Sequence, residues 1–225
     1  MQDNQVHHNF EVIRKKIEKT CNVWDRKQED INLVAVSKKQ NDDRINAALE
    51  YGHRLFGENR VQEAMERWSP RKGGYPDLRL HLVGPLQTNK VRDAVALFDC
   101  IETLDRPKLA DALSREMRRQ GKSVPCFIQV NTGDEAQKAG VRISDLDALV
   151  DYAVKTCGLD VAGLMCIPPL DEPPGMHFAL LAAHARRLGL KELSMGMSGD
   201  FDKAIAAGAT YIRVGSALFG ARENG

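Results

Sequence analysis

The sequence predicts an α/β protein in which eight parallel strands and their helices form a single (β/α)8 TIM barrel. The first observation is the length of 225 residues, which suits such a barrel as one unit. The second is a repeat of one short apolar strand, a polar turn and a helix-period segment, which is typical of a parallel sheet. The third is that no GxGxxG glycine pattern follows the first strand, whereas open doubly wound sheets usually carry one there.

The first predicted element is an extra amphipathic helix over about residues 10–26, which precedes the repeats. Eight strands then follow, each a short apolar run bounded by turn residues. They are predicted at Asn32–Ser37, Arg54–Gly57, Arg79–Val83, Cys100–Thr103, Pro125–Val130, Asp160–Cys166, Glu192–Met195 and Tyr211–Val214.

Seven helices are predicted between these strands, several with a capping side chain or a proline in the first turn. They begin near Asp42, Arg60, Asn89, Pro107, Ser144, His177 and Phe201, and four of them end at Gly121, Gly158, Gly189 and Gly208. The longest irregular stretch is Pro168–Gly175, which has four prolines and is predicted to be a rim or lid loop. No linker composition divides the chain, so we expect one domain over residues 1–225.

The composition argues against several classes of protein. A formal net charge of +1 gives no surface for nucleic acid, and no segment has the length and hydropathy of a membrane span. The five cysteines are odd in number and widely spaced, so we expect reduced thiols rather than disulfides or a zinc site. The polar start lacks the apolar stretch of a signal peptide, and a cytoplasmic protein is therefore expected.

Two cations at strand ends indicate an anionic ligand. Alternation along a strand puts Lys38 on one face with Val34 and Val36, and puts Arg213 on one face with Tyr211. The two charges can therefore converge on one cavity at the carboxyl ends of the strands, where barrel sites lie. Buried lysine and arginine side chains need a partner such as a phosphate, a carboxylate or a covalent adduct.

Small hydrogen-bonding residues follow the seventh and eighth predicted strands, which is where barrels commonly bind phosphate. These are Met195–Asp200 and Gly215–Ala217, both of which run toward helical segments with free amides. Lys38 lies opposite this predicted phosphate site. An apolar wall and a second cation, Lys39 or Arg213, disfavour the charged form of its amine and make the amine nucleophilic. A phosphate site together with a nucleophilic lysine fits two classes of protein. One is a pyridoxal phosphate protein and the other is a sugar-phosphate aldolase, and the residues alone leave both open.

Motifs across essentially the whole chain resemble the YggS/PROSC family of pyridoxal phosphate homeostasis proteins, which share the barrel of the alanine racemase N-terminal domain. The motifs are Val34–Lys38, Phe56–Asn59, His81–Lys90, Gly163–Met165, Leu193–Ser198 and Arg213–Ser216. The resemblance implies pyridoxal 5′-phosphate (PLP) as the cofactor, bound as a Schiff base on Lys38. It also implies that Ser198, Gly199, Gly215 and Ser216 hold the phosphate, that Arg213 faces the pyridine nitrogen, and that Asn59 and Met165 line the pocket.

Two of these motif positions need comment. Ser216 stands where many family members have threonine, and the hydroxyl is kept. His81 lies within a strand, below its carboxyl end, and is interpreted as a core or supporting histidine.

The chain is expected to carry the cofactor rather than to turn over a substrate. An arginine opposite the pyridine nitrogen keeps that nitrogen unprotonated and weakens the electron sink. Racemisation needs a second acid or base, which racemases take from a tyrosine of an additional domain, and none of the four tyrosines here is predicted at the mouth. A PLP-dependent racemase or lyase is the alternative. PLP-dependent apoenzymes become candidate partners, and the missing racemase domain favours a monomer.

Overall fold

Eight parallel strands close into a barrel in the computed structural model, which describes residues 2–135 and 137–220. Every strand pair is parallel, and pairing of the fourth strand with the fifth closes the ring. The predicted barrel is thereby confirmed. The strands are β1 (Asn32–Val36), β2 (Leu55–Glu58), β3 (Arg79–Leu82), β4 (Cys100–Leu104), β5 (Cys126–Asn131), β6 (Val141–Arg142), β7 (Val161–Cys166), β8 (Glu192–Ser194) and β9 (Tyr211–Val214).

The two-residue strand β6 is absent from the sequence-based prediction. Among the described strands it pairs with β5 alone, through Val130 and Val141, and so lies outside the ring of eight. Two residues are too few to show the alternation by which a strand is recognised.

Helices surround the barrel and cover the outer faces of its strands. They are α1 (Gln2–Val23), α2 (Asp42–Glu50), α3 (Val61–Lys72), α4 (Val91–Leu97), α5 (Pro107–Gln120), α6 (Leu146–Asp151), α7 (Pro174–Arg187), α8 (Phe201–Ala206) and α9 (Ser216–Phe219). A π-helical segment, Tyr152–Thr156, continues α6. None of the described helices combines the length and the apolar character that a membrane crossing requires.

Two helix boundaries differ from the prediction. Helix α1 begins at Gln2 rather than near residue 10, because Val6 adds a further buried turn to the stripe that continues with Phe10 and Ile13. Helix α7 begins at Pro174, so the irregular stretch ends at Pro173. A proline in the first helical turn loses no hydrogen bond that the helix could have made.

Apolar side chains form two separate layers. The larger one fills the space between the strands and the helices. The smaller one lies inside the barrel and consists of Cys100, Phe127 and Met165, with Ala162 and Tyr211 packed against it. Buried polar side chains, among them those of Glu102, Ser194 and Arg213, lie nearer the carboxyl ends of the strands, together with Val34 and Val36.

Candidate functional site

Lys38 lies in a tight turn just beyond the first strand. Strand β1 ends at Val36, one residue earlier than predicted, so that Lys38 is two residues past its end and is half-buried. The following Lys39 is exposed and has a positive φ of 57°. The sharp turn therefore leaves Lys38 partly shielded from solvent, whereas the adjacent Lys39 is exposed.

The buried carboxylate of Glu58 holds this turn through hydrogen bonds. The Oε1 atom of Glu58 accepts hydrogen bonds from Ser37 Oγ at 2.7 Å, Arg67 at 2.9 Å and Trp68 Nε1 at 3.0 Å. The Arg67 guanidinium also donates to the carbonyl oxygens of Ser37 at 3.2 Å and of Gln40 at 3.0 Å. Ser37 and Gln40, on either side of Lys38, are thereby held by the ion pair of Glu58 and Arg67.

The loop after β8 and the start of α9 meet beside this turn. The Ser198 hydroxyl accepts from the backbone N–H groups of Gly215 at 3.3 Å and Ala217 at 3.4 Å. A Cβ atom on Gly215 would lie 3.2 Å from the carbonyl oxygen of Val36. The absence of a side chain at Gly215 thus lets the last strand approach the end of β1, while Gly199 and Ser216 remain exposed.

Arg213 is buried inside the barrel, one layer below this opening. Its register partner is Val34 on β1, so it lies deeper than Gly215 and Lys38. Its guanidinium donates to Ser194 Oγ at 2.6 Å and to the Cys166 carbonyl oxygen at 2.8 Å. These two bonds leave three of its five N–H donors for other acceptors.

A buried glutamate balances the charge of Arg213. Glu102 Oε2 accepts from the Ser194 hydroxyl at 2.5 Å and lies 3.9 Å from Arg213, and Glu102 Oε1 lies 2.7 Å from His81 Nδ1. Burial acts to raise the pKa of Glu102, but the bond and charge of His81, the charge of Arg213 and the Ser194 hydroxyl outweigh it, so that the pKa is lowered. The carboxylate is therefore charged inside the barrel. His81 is a buried supporting residue, as interpreted from the sequence.

Glu102 and Ser194 do not appear among the sequence-predicted site residues. The one available signal was the acidic residue in the middle of the apolar strand β4, since a buried carboxylate needs a cationic partner. That partner, Arg213, is distant in sequence, and only the barrel brings it to Glu102.

The remaining predicted residues lie at two depths. Asn59 directly follows β2 and is half-buried at the opening, where Gly84 packs against its backbone. Met165 is fully buried on β7, beside Ser194 in register, and belongs to the interior apolar layer. The structure thus places Lys38, Asn59, Ser198, Gly199, Gly215 and Ser216 at the carboxyl ends of the strands, with Arg213 and Met165 beneath them.

Comparison with known sequences gives consistent matches over nearly the whole chain. The family model described as the alanine racemase N-terminal domain matches residues 3–223. The pyridoxal phosphate homeostasis protein of Escherichia coli K12 is 35% identical over 229 residues, which cover 98% of each chain. That of Pseudomonas aeruginosa PAO1 is 37% identical over 227 residues, which cover 96% of each chain.

Comparison with solved structures agrees with these matches. PipY of Synechococcus elongatus with PLP bound has a TM-score of 0.80 and 37% identity, covering 91% of this chain and all of that one (100%). A Bifidobacterium adolescentis protein described as unknown has a TM-score of 0.90 and 26% identity, covering 97% and 96% of the two chains. A Clostridium difficile alanine racemase, at 12% identity and a TM-score of 0.74, shares the fold over 98% of this chain and 57% of its own.

Proposed function

This chain belongs to the family of pyridoxal phosphate homeostasis proteins, built on the alanine racemase N-terminal barrel, and from that premise we propose that it binds PLP reversibly at the carboxyl ends of its strands. The main observation behind the proposal is that the turn containing Lys38 lies next to the loops that contain Ser198 and Gly215. PipY, whose structure contains PLP, supports the same cofactor.

The residues at this opening fit the groups that PLP presents. Ser198 accepts only long hydrogen bonds from the two N–H groups that it contacts, at 3.3 and 3.4 Å, so these donors and the hydroxyl are suited to a stronger acceptor such as a phosphate oxygen. The missing side chain of Gly215 leaves room for close backbone approach, and Gly199 and Ser216 complete the proposed phosphate site. Asn59 and Met165 would contact the ring.

Lys38 is the residue that we assign to covalent attachment. PLP supplies an aldehyde, which condenses reversibly with a primary amine and releases water. The half-buried position of Lys38, held by the Glu58 and Arg67 contacts around it, favours attachment there over the exposed Lys39. Reversible attachment protects the aldehyde and allows its later transfer to PLP-dependent apoenzymes.

Arg213 is proposed to face the pyridine nitrogen and to restrain the chemistry of the cofactor. A guanidinium stays charged at all physiological pH values, so it keeps a facing nitrogen unprotonated. Ser194 and the Cys166 carbonyl hold the guanidinium in place, and Glu102 supplies the counter-charge.

We propose further that the chain carries PLP without catalytic turnover, as the names of its relatives as homeostasis proteins support. All four tyrosines lie away from the opening. Tyr51 contacts Glu11, Tyr75 lies under Arg54, Tyr152 contacts Asp111, and Tyr211 packs against His81 and Phe127. A second acid or base on the face opposite Lys38 would be needed for racemisation.

The assignment of Lys38 is tested by the absorption spectrum of the purified protein. Wild-type protein loaded with PLP should show a band from the lysine adduct that borohydride abolishes, and Lys38→Ala should lose both the band and the reducible link. Lys39→Ala is the matched control and should keep them. A wild-type protein that takes up no PLP would refute the proposal, and deuterium exchange at the α-carbon of a panel of amino acids tests the racemase or lyase alternative.

A further inference from the structure

A large cavity lies at the end of the barrel opposite to the proposed PLP site. Its volume is about 1040 Å³, and its walls come from the amino-terminal ends of the strands and from α1. None of the residues assigned to PLP lines it. Ligand sites typically occupy 300–1,000 Å³ and combine apolar walls with a few converging polar groups.

The floor of this cavity is aromatic. The Tyr211 ring lies 5.5 Å from the His81 ring and 5.4 Å from the Phe127 ring, measured between centroids, and the three side chains come from different strands. Cys100 and Ala162 complete the floor. His81 Nδ1 is hydrogen-bonded to Glu102, so Nε2 is the ring nitrogen that a cavity ligand could contact.

The charges around this floor are separated by sign. Arg79 opens β3, Glu192 opens β8, and Asp160 directly precedes β7 next to β8. Strands β3 and β8 are separated by β4, β5 and β7 on one side and by β2, β1 and β9 on the other, so they face each other across the barrel. The Arg79 charge therefore lies across the barrel from the charges of Glu192 and Asp160, whereas Asp99, next to β3, is paired with Lys72.

Arg79 and Asp160 are exposed and Glu192 is half-buried, and they differ from other charged residues of the lining in their ion pairing. Three other charged lining residues have ion-pair partners, since Arg54 pairs with Asp77, Asp99 with Lys72 and Glu29 with Lys27. Arg79, Asp160 and Glu192 have no ion pair with any side chain in residues 5–135 and 137–220. Burial and the nearby Glu192 charge raise the pKa of Tyr211 to about 12, in keeping with an anionic wall beside the aromatic floor.

We propose that this cavity binds a small amine–carboxylate zwitterion with an apolar or aromatic body, the class to which free α-amino acids belong. Arg79 pairs with the carboxylate, for which its planar fork of donors is suited. Glu192 and Asp160 pair with the ammonium group, and the body of the ligand packs on Tyr211 and Phe127. The proposal does not depend on the function proposed for the opposite face.

The ligand class is tested by calorimetric titration of PLP-free protein with L-phenylalanine and with two analogues that each lack one charge. Phenylacetate lacks the ammonium group, and phenethylamine lacks the carboxylate. L-phenylalanine should bind, and each analogue should bind at least about tenfold more weakly, because it loses one charged contact. Absence of L-phenylalanine binding, or equal binding of all three compounds, would overturn the proposal.

The location is tested with variants. Arg79→Ala and Glu192→Gln should each weaken L-phenylalanine binding about tenfold, Arg79→Lys should weaken it less, and the exposed controls Arg92→Ala and Glu50→Gln should leave it unchanged. Lys38→Ala should bind L-phenylalanine like the wild type. Loss of binding in Lys38→Ala would place the amino acid at the other face and refute this site, whereas a failure of PLP uptake alone would refute only the function proposed above.

Discussion

Glu102 is the residue on which the polar interior of the barrel depends. It is fully buried, and it connects His81, Ser194 and Arg213 through contacts of 2.7, 2.5 and 3.9 Å. His81 comes from β3, Ser194 from β8 and Arg213 from β9, so side chains from three other strands meet at this carboxylate. A single carboxylate thus sets the position and the net charge of the proposed ring-binding group.

Replacing Glu102 by glutamine should therefore destabilise the protein and disturb the cofactor. Glu102→Gln keeps the shape but leaves the buried Arg213 without a counter-charge, and breaking a buried ion pair costs about 3–5 kcal/mol. We expect a lower free energy of unfolding in urea and a shifted absorption band of bound PLP. Glu50→Gln, an exposed change on α2, is the control and should alter neither. An unchanged stability of Glu102→Gln would contradict the structural role of this charge.

At the scale of elements, the turn after β1 is held by helix α3, which carries none of the residues proposed to bind PLP. Arg67 on α3 donates to the carbonyl oxygens of Ser37 and Gln40, which flank Lys38. The position of the attachment residue is therefore set by packing between α3 and the ends of β1 and β2. Preorganisation of this kind lowers the entropic cost of binding.

Loosening that turn should weaken PLP binding. Arg67→Ala removes the contacts to both carbonyl oxygens and also the cationic partner of the buried Glu58, so we expect a lower free energy of unfolding in urea. In the variant that remains folded, we expect the apparent Kd for PLP, measured by absorbance titration, to rise about tenfold. Arg71→Ala is the matched control, because Arg71 lies one turn further along α3 and contacts Asp42 and Arg67 O rather than the turn. Equal affinities of the two variants would show that α3 does not position Lys38.

The elements also show what the sequence could predict. All eight barrel strands were predicted to within a residue or two, because buried parallel strands are apolar runs bounded by turn residues. The inward position of Arg213 follows from alternation along β9, whereas the half-buried position of Lys38 depends on the turn after β1. The Glu102 network could not be predicted, because Ser194 and Glu102 are 92 residues apart and meet only through the register of a closed barrel.

At the scale of the whole molecule, stability should depend on pH through a buried histidine. Burial lowers the pKa of His53 from 6.5 to about 4 in the folded protein. The unfolded chain therefore binds a proton as pH falls below about 6.5, while the folded protein stays neutral at this position until about pH 4. The stability that this neutral histidine provides is complete above pH 6.5 and is lost progressively on acidification.

We expect the free energy of unfolding in urea to fall by about 3 kcal/mol between pH 7 and pH 4 on account of His53. His53→Gln should reduce this slope, whereas His8→Gln, at an exposed position, should leave it unchanged. The lowered pKa of Glu102 adds a further loss at lower pH, as that carboxylate becomes protonated. A wild-type stability that is flat over this range would contradict the prediction.

The single-domain and monomer expectations remain predictions of the sequence.

The pairing of β1 with β9 joins the two ends of the chain at the proposed PLP site. A polypeptide still emerging from the ribosome contains Lys38 long before it contains Arg213 and Gly215, and it has no closed ring until its last strand is made. Unfinished chains and fragments that lack β9 are thus unable to sequester the cofactor in the way proposed here. In the proposed mode of binding, capture of PLP therefore requires that β9 has paired with β1.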